Sequence, residues 1–147
     1  MTKILCVSHD ESVRGLLRII LERNGYECIA ASNSQKALEI LQTQAIDLII
    51  QNLYCSGGCE FYTYLQQDRH LAGIPMLIIT PLHPFDLPPA CQPLIDAHYP
   101  CDFISMPFCP QTIITKVQTR LRSSRNSASG PISSSYNIDV ALKMAAF

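Results

Sequence analysis

Two cysteines and a histidine are the residues of this sequence whose types and spacing most directly suggest chemistry. Cys55 and Cys59 flank the tripeptide Ser-Gly-Gly, and we expect His9 and Cys109 on the same face of the molecule. Thiolate and imidazole ligands suit Zn²⁺, and two neighbouring thiols can form a regulatory disulfide. The spacing is Cys-x3-Cys rather than the paired Cys-x2-Cys of zinc sites. One alternative is therefore a redox, metal or small-ligand sensor that uses Asp10 together with His9, Cys55 and Cys59. The other is that these side chains only pack in the ordinary way.

The elements that would position these residues alternate regularly along the chain. Short apolar runs predict strands at 4–7, 26–31, 46–52, 76–80 and 102–105. Apolar residues at helical spacing predict helices at 12–24, 34–43, about 59–69 and 110 to about 123. Six prolines between residues 80 and 102 predict a short, irregular helix at about 89–98. Strands that alternate with helices indicate an α/β fold with a doubly wound, five-stranded parallel sheet of flavodoxin-like type and helices on both faces.

The ends and inner faces of the helices also carry signals. Ser12 is a suitable N-cap for the first helix, and Asn24-Gly25 ends it. Asn33 or Ser34 is expected to cap the second helix. Apolar residues of the first helix fall at helical spacing and are expected to face the core: Val13, Leu16, Leu17, Ile20 and Leu21.

In a doubly wound fold, the functional site lies beyond the carboxyl ends of the strands. The residues that follow the predicted strands are 8–10, 52–58, 80–84 and 105–108. We therefore expect the site to be built from these four segments.

Composition and charge exclude several classes of protein. The 147 residues predict one domain at 1–123 and a Ser-rich linker and tail at 124–147, which is too short for a DNA-binding domain. With 48% hydrophobic and 16% charged residues, the chain is not disordered, and a net charge of −1 argues against direct nucleic-acid binding. No apolar run reaches the ~18 residues of a membrane span. Seven cysteines without a secretory signal predict reduced thiols in the cytoplasm.

Four segments resemble the receiver domain of bacterial two-component response regulators. They are 4–14 (ILCVSHDESVR), 47–53 (DLIIQNL), 74–80 (IPMLIIT) and 102–108 (DFISMPF). The resemblance covers residues 3 to about 122 and implies the sheet order 2-1-3-4-5. It also implies the family's chemistry, which is phosphoryl transfer from a kinase histidine to an aspartate beside Mg²⁺.

At most of the positions where the family carries its phosphorylation residues, this chain has a side chain of a different type. The acidic pair falls on Ser8 and His9, the nucleophile on Asn52 and the lysine on Met106, while Thr80 is retained. A neutral amide cannot form an acyl phosphate and is a poor Mg²⁺ ligand. We interpret the chain as a pseudo-receiver with no catalytic residue and no cofactor, whose degenerate pocket consists of Ser8, His9, Asp10, Asn52, Thr80 and Met106.

Without the reaction, the resemblance implies a phosphorylation-independent signalling or interaction module rather than an enzyme. The expected partner is a protein (a signalling kinase, a regulator or a second copy), with no direct nucleic-acid or membrane contact. Apolar side chains on a proline-stiffened segment, in the fifth strand and after it form the candidate interaction surface: Leu82, Phe85, Leu87, Phe103 and Phe108. Packing of these residues against the core is the alternative.

Overall fold

The computed structural model describes residues 1–52, 61, 64, 65, 67–80 and 101–128. The expected helix at 89–98, the Ser-Gly-Gly loop and the tail from residue 129 lie outside the described residues. Within the described residues, no helix combines the length and the apolar character needed to cross a membrane.

Five strands and three complete helices make up the described fold. The strands are β1 (Lys3–Val7), β2 (Glu27–Ala31), β3 (Leu48–Asn52), β4 (Met76–Thr80) and β5 (Cys101–Ser105). The helices are α1 (Glu11–Arg23), α2 (Ser34–Thr43) and α3 (Pro110–Ala128). Phe61, Tyr64, Leu65 and Gln67 are also helical, in the segment where the sequence predicts a helix at 59–69.

The strands form one parallel sheet in the order β2-β1-β3-β4-β5. This confirms the predicted doubly wound fold and its strand order. Every residue of β3 and β4 is buried, because helices cover both faces of a parallel sheet. Continuous apolar runs such as Leu48-Ile49-Ile50 are the sequence signature of that burial.

Alternation along the strands divides the core into two clusters, one on each face of the sheet. In β1, Ile4 and Cys6 face one cluster, whereas Leu5 and Val7 face the other. The first cluster contains buried residues of α1 and α3: Leu17, Ile20, Leu21, Ile113, Ile114, Val117 and Leu121. The second contains Ala37 and Leu41 of α2 together with Phe61 and Leu65.

The N-cap of α1 is Asp10, so the prediction of Ser12 was wrong. The Asp10 carboxylate accepts hydrogen bonds from the backbone N–H groups of Ser12 at 2.8 Å and Val13 at 3.4 Å. The helix begins at Glu11, one residue earlier than predicted, which places Ser12 inside the first turn. Other ends agree with expectation: Asn24 is the C-cap before Gly25 with φ 84°, and Asn33 caps α2.

Leu16 does not face the core, contrary to the sequence-based expectation. Its side chain is 45% exposed, and that of Ile19 is 52% exposed. The buried stripe of α1 centres on Leu17, and successive helical residues are rotated by about 100° around the axis. Leu16 therefore lies on the flank of the stripe, beside solvent.

The last helix is longer than predicted. It continues to Ala128, whereas its expected end was about residue 123. Serine and asparagine each cost a helix only about 0.5 kcal/mol relative to alanine, so a Ser-rich composition does not stop it. The domain boundary expected after residue 123 therefore falls inside α3.

Gln51 is an unsatisfied polar residue in the core. It is fully buried in β3, and among the residues that the structure describes neither Nε2 nor Oε1 has a hydrogen-bond partner. Its neighbours in register are Val7 and Ile78, both members of the second apolar cluster. The amide is thus desolvated without compensation, which costs stability.

The Gln51→Leu substitution should therefore stabilise the protein. An apolar side chain of similar size removes the desolvation penalty, and we expect the free energy of unfolding to rise by about 1–3 kcal/mol. Urea unfolding would show a higher midpoint at an unchanged slope. The matched control Gln51→Glu should lower the midpoint, because it buries a charge. A Gln51→Leu protein no more stable than the parent would contradict this account.

The capping assignment of α1 can be tested with two alanine substitutions. Asp10→Ala removes the acceptor of two backbone N–H groups, and we expect it to lower the free energy of unfolding by about 1 kcal/mol. Ser12→Ala should change stability by less than about 0.5 kcal/mol, because an exposed first-turn serine is not the cap. Thermal and urea unfolding of both variants would measure the difference, and the reverse ranking would restore Ser12 as the cap.

Candidate functional site

Polar side chains meet at the carboxyl edge of the sheet, as the fold predicts. Ser8 directly follows β1, while Asn52 and Thr80 are the last residues of β3 and β4. Their exposed fractions are 0%, 3% and 1%, so this polar group is buried. The neighbouring strands β1, β3 and β4 are adjacent in the sheet, which places these three residues along one edge.

Ser8 is the centre of the hydrogen bonds at this edge. The Asn52 Nδ2 donates to Ser8 Oγ at 3.2 Å, and the Asp10 backbone N–H donates to the same oxygen at 3.1 Å. The Ser8 N–H donates to the Ala31 carbonyl at 3.0 Å, and Arg14 Nη1 donates to the Ser8 carbonyl at 2.6 Å. Ser8 thereby joins the ends of β1, β2 and β3 to the first turn of α1.

The two residues after Ser8 leave the buried edge. His9 and Asp10 are both exposed. The Asp10 carboxylate is engaged by the N-terminal N–H groups of α1, where a negative charge also interacts favourably with the helix dipole. The acidic group nearest to Ser8 in sequence is therefore used as a helix cap.

Met106 lies at the other end of the same edge. Its N–H donates to the Thr80 carbonyl at 3.0 Å, and the Met106-Pro107 peptide bond is cis. The Met106 side chain is half-buried and packs against the apolar cluster of α1 and α3. A thioether in this position supplies no positive charge to a phosphoryl oxygen.

The chemistry available at the buried edge is that of neutral groups. Ser8, Asn52 and Thr80 offer hydroxyl and amide groups, which donate and accept hydrogen bonds. Three carboxylates at such a site would repel one another and require a cation. The amide–hydroxyl pair seen here is held by a direct hydrogen bond instead.

The candidate interaction surface is only partly described, and its described members lie apart. Phe103 packs against the cluster under α2, whereas Phe108 packs against the cluster under α1 and α3. The structure therefore places these two half-buried rings on opposite faces of the sheet. Leu82, Phe85 and Leu87 lie outside the described residues.

The candidate sensor site is likewise not assembled in the described part of the chain. Cys55 and Cys59 lie outside the described residues, and His9 and Cys109 are exposed. Among the residues that the structure describes, no group of three or more His, Cys, Asp or Glu side chains is placed to hold a metal ion.

Two features were missed by sequence reasoning. Leu16 and Ile19 form an exposed apolar pair on α1, and Cys6 and Cys28 are buried with their sulfur atoms 3.4 Å apart. The sequence did contain a signal for the thiol pair. The expected strand order makes predicted strands 1 and 2 neighbours, and the alternation of side chains along them places both cysteines on the same face of the sheet. Cys6 and Cys28 were expected to be ordinary small hydrophobic residues, and their contact was not predicted.

Comparison with known proteins identifies the family to which this chain is similar. The model of the "Response regulator receiver domain" family matches residues 4–118. The phosphate regulon regulatory protein PhoB of Pseudomonas aeruginosa is 30% identical over 122 residues, 81% of this chain. The alkaline phosphatase synthesis regulatory protein PhoP of Bacillus subtilis is 32% identical over 129 residues, 86% of this chain. The chain spans about half (51%) of the length of each of these two regulators.

Solved structures agree on the fold. The chemotaxis response regulator CheY4 of Vibrio cholerae superimposes with a TM-score of 0.71 at 24% identity, over 82% of this chain and 98% of that one. A CheY-like receiver domain protein of Methanospirillum hungatei has a TM-score of 0.75 at 19% identity, over 86% and 98%. The family model covers most of the chain, and the strand order is the one that the receiver resemblance implied. This chain therefore belongs to the response regulator receiver domain family of two-component signalling.

Proposed function

We propose that this chain is a pseudo-receiver that signals through protein association without accepting a phosphoryl group. The observation that carries the proposal is the buried Asn52 amide, which donates to Ser8 Oγ at 3.2 Å where the family resemblance calls for a carboxylate nucleophile. An amide nitrogen has no lone pair available for attack on phosphorus, since it is delocalised into the carbonyl. Acyl phosphate formation at this position would need a carboxylate.

The contacts around Ser8 support a site that is complete without Mg²⁺. Its hydroxyl and both backbone groups are hydrogen-bonded to Asn52, Asp10, Ala31 and Arg14. Mg²⁺ binding in proteins relies on carboxylates and bound water. The nearby Asp10 carboxylate already caps α1, so recruiting it to a cation would release two helix N–H groups.

Association is the output that remains for such a module. Receiver domains act by contact with kinases and other proteins, and for this chain we propose a kinase, a regulator or a second copy as partner, in the cytoplasm. Of the candidate interaction residues, Leu82, Phe85 and Leu87 belong to this proposal as one surface, whereas Phe103 and Phe108 pack on opposite faces of the sheet and do not share it. The exposed pair Leu16 and Ile19 adds a second apolar area, on α1. Apolar side chains that remain exposed beside a polar helix face are suited to a protein partner.

Phosphorylation competence is the decisive test. We expect no gain of phosphoryl mass when the protein is incubated with Mg²⁺ and acetyl phosphate, because Asn52 cannot form an acyl phosphate. Amide NMR spectra with Mg²⁺ and beryllofluoride should show no shifts around Asn52, Thr80 and Phe103. Intact mass spectrometry and the spectra would be recorded on the same preparation.

The control restores the family's residue types in this chain. A variant with Ser8→Asp, His9→Asp, Asn52→Asp and Met106→Lys should gain one phosphoryl group under identical conditions, while the same variant keeping Asn52 should not. A Mg²⁺-dependent mass gain by the parent protein would overturn the proposal. It would show that Asp10 or another carboxylate acts as the acceptor.

A further inference from the structure

Cys6 and Cys28 form a buried thiol pair across the first two strands. Their Sγ atoms are 3.4 Å apart and share a hydrogen bond. In the register of β1 and β2, Cys28 is opposite Ile4 and Cys6 is opposite Ala30, so the pair is diagonal. Both side chains face the cluster under α1 and belong to it. The two sulfurs are thus held in contact by the sheet and by the helix above it.

The two cysteines differ in their surroundings. Cys6 is fully buried in β1, whereas Cys28 lies on the edge strand β2 and keeps 7% of its surface exposed. The hydrogen bond shared with Cys6 lowers the pKa of the Cys28 thiol, and the Arg18 guanidinium lowers it further, although burial and the Glu22 charge oppose this. The pKa of the Cys6 thiol is raised by the same hydrogen bond and by burial. Cys28 is therefore the thiol of the pair that ionises first.

We propose that Cys6 and Cys28 are a redox modification site, at which a hydroperoxide converts the two thiols into a disulfide between β1 and β2. The contact between the sulfurs carries this inference. Cys28, on the sheet edge and beside Arg18, is the attacking residue, and Cys6 is the resolving residue. The site is separate from Ser8 and Asn52 and does not depend on whether the chain accepts a phosphoryl group.

The reaction balances in two steps. The Cys28 thiolate attacks one peroxide oxygen, so that an S–O bond forms and the O–O bond breaks, and the leaving oxygen takes up a proton to give water or an alcohol. The Cys6 sulfur then attacks the Cys28 sulfenic acid. The S–S bond forms, the S–O bond breaks, and the hydroxyl group departs with the Cys6 proton as water. Two thiols lose two electrons in total, and the peroxide gains them.

The product would join the two strands on either side of α1. The disulfide closes the chain between residues 6 and 28, which contains the whole of that helix. A covalent link between β1 and β2 restricts the unfolded chain, so the oxidised protein should unfold at a higher denaturant concentration. It would also tether the strand that leads directly into Ser8 and Asp10.

Peptide mapping of the full chain tests the site directly. Because Cys28 is 7% exposed, the probe is hydrogen peroxide, the smallest hydroperoxide. Treated protein is alkylated and digested with trypsin without reductant, which releases residues 4–14 and 24–36 with one cysteine each. We expect these peptides to be linked, with two hydrogens (about 2 Da) lost, and to separate after dithiothreitol. Recovery of both peptides alkylated, of Cys28 as sulfinic acid, or of Cys28 linked to another cysteine would overturn the proposal.

Matched variants separate this site from general thiol oxidation. Cys109→Ala removes an exposed thiol and should leave the linked peptide unchanged, whereas Cys6→Ala should abolish it. Arg18→Gln should slow loss of the two alkylatable thiols severalfold, because it removes the positive charge beside Cys28. Arg23→Gln, which alters another exposed cation of α1, should not slow it. Equal rates for the two arginine variants would contradict the role of Arg18, and the mapping of the parent protein stands even where a cysteine variant fails to fold.

Discussion

Burial of β3 and β4 on both faces of the sheet is the constraint on which the rest of the structure depends. Each of these strands is enclosed over its full length, so a polar side chain within them needs a partner or leaves its amide unsatisfied, as Gln51 does. Polar groups with partners therefore collect where the strands end. Asn52 and Thr80 occupy those ends, and Ser8 meets Asn52 there across 44 positions of sequence. The polar edge is thus a consequence of the apolar sheet.

The same edge explains how the fold can be kept while its chemistry differs. Ser8 links β1 to β2 through the Ala31 carbonyl, to β3 through Asn52 and to α1 through Arg14. These are neutral or charge-assisted hydrogen bonds made within the chain, and they need no bound ion. In the family chemistry implied by the resemblance, a cation offsets the repulsion between carboxylates at this place. In the pseudo-receiver that we propose, neutral side chains in place of those carboxylates remove the repulsion together with the reaction.

Helix α1 connects the two regions to which we assign a function. Asp10 caps its first turn, Arg14 reaches the Ser8 carbonyl, and Arg18 lies beside Cys28. Arg14, Arg18 and Glu22 are each four residues apart and therefore share one face of the helix. One polar stripe thus follows the sheet from its carboxyl edge to the buried thiol pair, while Leu16 and Ile19 remain exposed to solvent.

Local pattern in the sequence was enough to determine the alternation of the strands and helices that the structure describes, and it predicted the bounds of α2 and β4 as the structure has them. Together with the family resemblance, it also predicted the strand order and the position of Ser8, Asn52 and Thr80 at the carboxyl ends of their strands. The tertiary structure decided that Asp10 caps α1, that Leu16 is exposed, and that Cys6 meets Cys28 from 22 positions away. Periodicity in the sequence carries information only about residues that are close to one another along the chain. Contacts between distant residues depend on strand register and on the rotation of each helix about its axis, which side-chain packing sets for the whole domain at once.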